Sequence, residues 1–199
     1  MLNLTKWFAI TVGALSLLTA CLIPEKFEAK IDIKSDGSYF FVYDGTLALG
    51  IALDAVEKGK LDAKTEADLQ KLTAELKKDP VFKKVDYIGK ARYKVLVEKH
   101  GQAGETYHFI SKESKIVSII PQKDGTVSIS AMKLDKKLID QLATLGSKID
   151  GSLSVSLGSG VKVVSHNASS EPSFFGMLGG YKWSIKSPDQ LPNMVVKTK

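Results

Sequence analysis

The sequence holds a single cysteine, Cys21, in 199 residues, which excludes an internal disulfide and any multi-cysteine metal site. Arginine is as scarce. Arg92 stands alone among 28 basic residues, the rest being lysine. Arginine's planar fork is the usual tool for bidentate phosphate and base recognition, whereas lysine is a flexible, strongly hydrated point charge. The lysines are also scattered, with no run longer than the pairs Lys77-Lys78, Lys83-Lys84 and Lys136-Lys137. A net charge of +6 spread this way reads as a solvated surface, and we expect no nucleic-acid partner. A mild attraction to anionic membrane surfaces stays open. The three histidines, His100, His108 and His166, have no cysteine or carboxylate at ligand spacing, so no metal site or cofactor is expected.

Motifs of catalysis are missing as well. There is no Gly-x-Ser-x-Gly elbow and no phosphate-binding loop. Gly158-Ser159-Gly160 lacks the third glycine and the helix of a dinucleotide loop. Ser165-His166-Asn167 holds suggestive residue types, but neighbours along a strand point to opposite faces and cannot form a triad. The reading is of a protein that is not an enzyme. With 44% hydrophobic and 25% charged residues, the composition is that of an ordinary folded domain, neither disordered nor collagenous.

The amino terminus is more informative. Lys6 precedes Trp7 to Leu18, a largely apolar stretch too short for the ~20 residues of a spanning helix. Thr19-Ala20-Cys21 follows. This is the layout of a secretory signal, yet cutting after Ala20 would put Leu18 at the −3 position, where a small residue is preferred. Leu18-Thr19-Ala20-Cys21 resembles the lipobox of bacterial lipoproteins. That resemblance implies a signal peptide over residues 1–20, cleavage before Cys21 by the lipoprotein signal peptidase, and a diacylglyceryl group with acyl chains such as palmitate on Cys21. An uncleaved membrane anchor with an incidental cysteine is the alternative. Leucine at position 22, where lipoproteins retained in the inner membrane carry aspartate, implies the outer membrane, facing the periplasm.

Residues 21–25 read as the lipidated cysteine and a short tether, and 26–199 as one domain. Phe27, Ala29, Ile31 and Ile33 alternate like a strand, Ser35-Asp36-Gly37-Ser38 signals a hairpin, and Tyr39 to Tyr43 reads as the returning strand. Helical spacing predicts a helix over 47–58 and another over 63–78, capped by Asp62 and ended by Asp79-Pro80. Strands follow over 81–88 and 92–98 as a hairpin, then over 106–110 and 115–121. Lys123-Asp124-Gly125-Thr126 is a second turn, before alternating Val127, Ile129 and Ala131. Asp135 caps a third helix bearing Leu138, Leu142 and Leu145, ending at Gly146. Residues 152–157 and 161–165 read as strands paired around Gly158-Gly160, with closing strands over 181–186 and 194–197. The expected class is α+β, a mainly antiparallel sheet with about three helices on one face.

One segment stands out: Phe174, Phe175, Met177, Leu178, Tyr181 and Trp183 crowd among glycines. These six are the candidate ligand or membrane contacts; the alternative is a bent core segment under the sheet. The mature part also resembles uncharacterised bacterial lipoproteins with a strand–Asp-Gly–strand hairpin after the lipobox cysteine and a final Trp-containing strand. Here the likeness rests on Cys21, the Ile31 to Val42 hairpin and His166 through Trp183. It implies an envelope module that binds a lipid or an envelope protein. Three readings compete. A binding module that engages a lipid or an envelope protein predicts apolar surface near Phe174, Phe175, Met177 and Leu178, or a cavity between helices and sheet. A structural or assembly lipoprotein with protein partners predicts no cavity. An envelope hydrolase requires His108 or His166 to meet a carboxylate in a cleft.

Overall fold

The computed structural model describes residues 22–111, 116–131, 133, 136–145, 148–173 and 179–199. Alternating apolar residues build the first hairpin. β1 (Leu22–Ile33) and β2 (Tyr39–Leu49) pair antiparallel from Ile33 opposite Tyr39 to Leu22 opposite Leu49. Their turn works as its sequence suggests. Asp36 accepts the Ser38 amide at 2.9 Å, and Gly37 takes a φ of +82° that suits glycine. The four residues read as part of a tether, Leu22 to Glu25, are instead the start of β1. Strand structure is therefore already present at Leu22.

β2 also runs further than its alternation foretold. Leu47, Ala48 and Leu49 are strand residues, all fully buried. The helix expected over 47–58 is shorter, α1 (Gly50–Glu57). The cause is burial on both faces, which turns a strand's alternation into a continuous apolar run that also satisfies helical spacing. α2 (Ala63–Leu76) starts where predicted, with Asp62 accepting the Thr65 amide at 2.7 Å. Its Leu69, Leu72 and Leu76 are buried, and the Tyr93 hydroxyl donates to the Leu69 carbonyl at 2.8 Å, pinning the helix to the sheet. β3 (Phe82–Gly89) and β4 (Arg92–Gly101) form the expected hairpin.

Two short strands, β5 (Tyr107–His108) and β6 (Ser118–Pro121), precede β7 (Thr126–Ser130) and α3 (Lys136–Thr144). The proposed cap Asp135 and the stop at Gly146 lie outside the described residues. β8 (Asp150–Leu157), β9 (Lys162–His166), β10 (Tyr181–Ile185) and β11 (Asn193–Lys197) complete the chain.

The class is α+β as expected, but the one sheet is two. The first has the order β10-β8-β1-β2-β4-β3, the second β5-β6-β7-β11-β9. β8 and β9 do not pair with each other. β8 lies parallel to β1, while β9 joins β11 in the other sheet. The Gly158–Gly160 turn thus carries the chain from one sheet to the other. Close approach explains why glycine stands there: the Gly158 amide donates to the Ile33 carbonyl at 2.7 Å, and a Cβ would lie 3.2 Å from that oxygen. The shared core between the sheets is aromatic in its middle. Phe41 and Tyr43 of β2 lie 5.1 and 4.7 Å, centroid to centroid, from Phe109, next to the second sheet.

Candidate functional site: an apolar cavity at the end of the sheets

The sheets do not stay in contact along their whole length. At the end where β1 begins, the core opens into a cavity of about 1210 Å³. Phe27 and Ala29 of β1, Tyr43 of β2 and Leu153 of β8 form its floor, and Val117 and Ala131 face it from the second sheet's side. α3 contributes Lys136, Asp140, Leu142 and Thr144, and the 187–192 loop supplies Pro188, Leu191 and Pro192. The described lining is mostly apolar. Its side chains able to hydrogen-bond or carry charge include Asp54, Lys136, Asp140, Thr144, Ser187 and Gln190.

Local packing sets the floor. Phe27 stacks on Tyr43 at 5.4 Å, and its ring lies across Gly151, where a Cβ would be 2.5 Å from ring carbons. A side chain at 151 would drive that ring into the cavity. Tyr43 shows the cavity its ring and keeps its hydroxyl satisfied, donating to the Thr46 carbonyl at 3.1 Å. Burial first, and the charges of Glu25 and Asp44 second, hold that hydroxyl well above its ordinary pKa. It stays neutral, so the floor remains uncharged.

The lone arginine has a structural task outside the cavity lining. Arg92 makes a two-point ion pair with Glu25, at 2.8 and 2.9 Å, tying β4 to the start of β1 across β2. Such a fork is what arginine offers and lysine does not.

The sequence-predicted contact residues fall elsewhere or beyond view. Cys21 and Phe174, Phe175, Met177 and Leu178 lie outside the described residues. Trp183 is a core residue, 5% exposed, with its indole N–H donating to Asn167 Oδ1 at 2.7 Å. Tyr181 is half-buried and packs edge-on against His166 at 4.8 Å. Neither lines the cavity. What the sequence reading missed is the actual lining, assembled from distant segments with no motif in common. The histidines do not converge either. His100 stacks on Phe40 at 4.3 Å, His108 Nδ1 sits 2.9 Å from Ser118 Oγ, and His166 lies 3.4 Å from Glu171, a carboxylate two-thirds exposed. Among the described residues no group of three or more His, Cys, Asp or Glu side chains could hold a metal, and no helix is long and apolar enough to cross a membrane.

Fold and site together define a two-sheet α+β domain with an apolar cavity at one end. No family model matches this chain, and no curated protein matches it. Among solved structures, the NMR structure of the folded domain of LppM from Mycobacterium tuberculosis is similar at a TM-score of 0.42 and 11% identity, over 90% of this chain and 91% of that one. A likeness of that size carries no argument about function.

Proposed function

We propose that this chain is a lipid-anchored protein of the bacterial cell envelope that binds a lipid in the cavity and performs no catalysis. The carrying observation is the cavity itself: about 1210 Å³ and mostly apolar. Compact ligand sites run to roughly 300–1,000 Å³, so this one has room for more than a small metabolite. An acyl chain entering it gains about 0.8 kcal/mol per methylene removed from water. Lys136, Asp140 and Asp54 offer polar contacts to a headgroup. Anchoring follows from Leu18-Thr19-Ala20-Cys21, and an outer-membrane site facing the periplasm follows from Leu22 by the sorting analogy. A structural lipoprotein with protein partners alone has no use for such a cavity.

The test is organic extraction and mass spectrometry of residues 22–199 exported to the periplasm and purified without detergent. One lipid per folded chain is expected. A chain well folded by circular dichroism and free of lipid would remove the reading's support. Ala131→Trp offers a second check, because an indole at 131 occupies cavity space. The variant is expected to retain its fold and to lose about tenfold in lipid occupancy, equivalent to ~1.4 kcal/mol.

A further inference from the structure

We infer that the cavity mouth is the face this domain lays on a membrane, and that the anchor at Cys21 fixes this orientation, so that lipid enters directly from the leaflet holding the anchor. The inference rests on the reading of Cys21 as lipidated. Consecutive Cα atoms lie about 3.8 Å apart, and Leu22, the next residue, is already hydrogen-bonded strand and cavity wall. No slack separates anchor from domain. An acylated Cys21 must bring this end of the first sheet to the headgroups, whatever the domain's other faces do.

The register identifies what else arrives there. Leu22 pairs with Leu49, so the chain enters β1 at the same end where β2 gives way to Gly50 of α1. One residue further on is Ile51, a cavity-lining side chain left 62% exposed. Ile23 and Pro24, also in the lining, continue the apolar rim. A large apolar side chain held in water beside a cavity mouth loses nothing if that mouth normally faces lipid. The partner is therefore a bilayer surface, and the exchange path from leaflet to cavity does not cross water.

The lone cysteine makes the test clean, since acylation consumes its thiol and any introduced cysteine is the one that labels. Full-length Ile51→Cys and Val164→Cys are purified, labelled with an environment-sensitive fluorophore and reconstituted in phosphatidylethanolamine–phosphatidylglycerol vesicles containing doxyl-labelled lipid. Val164 is the matched control, 61% exposed but on β9 of the second sheet. The mass of each chain is measured first. The probe at 51 is expected to shift to the blue and to be quenched roughly threefold more than at 164, since interfacial side chains sit ~5–10 Å into the headgroup boundary. An acylated chain whose two probes are quenched equally overturns the docking face and leaves the extraction result to decide the cavity's ligand. A chain without acyl groups overturns the anchor and this inference together, and again leaves the cavity to the extraction experiment. Quenching at 51 with a lipid-free cavity supports the docking face while defeating the lipid-binding reading.

Discussion

Gly45→Ala lowers the unfolding free energy by about 3 kcal/mol, at the upper end of the ordinary cost of overpacking. A Cβ on Gly45 would lie 2.5 Å from the Phe27 Cβ, 2.7 Å from the Lys26 carbonyl oxygen and 2.9 Å from the Phe27 Cα. Two of these atoms belong to backbone, so no rotamer change relieves the contact. The strands themselves must part, at the place where the β1–β2 register shifts between Pro24 and Phe27. That is the same stretch that carries the cavity floor. For a domain of this size each kcal/mol moves Tm by roughly 2–4 °C, so thermal and chemical unfolding should both register the change. A loss below about 1 kcal/mol would mean the strands part easily there, against this account. Gly151→Ala makes the contrast: its close atoms are the Phe27 ring, which can swing into empty space.

The second large effect is expected at the Arg92–Glu25 ion pair. Arg92→Ala should cost about 2–3 kcal/mol, less than the ~3–5 of a fully buried pair because the arginine side chain keeps 21% of its exposure. Glu25→Ala should cost less. The guanidinium it leaves behind still reaches water and keeps its contact to the Lys90 carbonyl at 3.0 Å. By contrast, Arg92→Ala strands a carboxylate on a residue only 8% exposed. Replacing both with methionine should recover most of the loss, since two apolar groups of similar length carry no desolvation penalty. A double-mutant cycle in urea measures this; losses that simply add would show the pair contributes no coupling.

These two sites also show where sequence reasoning stopped. Asp36-Gly37 and Asp124-Gly125 signal their turns locally, because the geometry they need is encoded in the residues that adopt it. Asp62 and the Leu69, Leu72 and Leu76 stripe give α2 by the same local logic. The strand ending at Leu49 misleads because cover on both faces erases its alternation. The 158–160 turn reveals that the chain changes direction but not which strand it meets next. Pairing of β8 with β1 joins Asp150 to Lys26 and has no local signature at all. The cavity inherits that difficulty. Phe27, Tyr43, Ala131 and Leu153 fall in segments that read as ordinary strands, and only the tertiary arrangement leaves a space between them. In the aromatic-rich segment near 174–183, Trp183 packs in the core with its N–H held by Asn167, in keeping with the core alternative, while Phe174, Phe175, Met177 and Leu178 lie outside the described residues.

The parallel pairing of β1 with β8 sets the order of events as the chain is made. β1 precedes every other described strand in the chain, and β2 follows at once to cover one of its edges. The other edge waits until residues 150–157 have been synthesised. For that interval the nascent protein presents a long strand with open hydrogen-bonding groups, a template for pairing with a neighbouring copy. Pairings that span so much chain also form slowly, because loop closure must come before the contact rewards it. Conditions that delay synthesis of the carboxy-terminal third should therefore produce aggregates, even though the finished fold is unaltered.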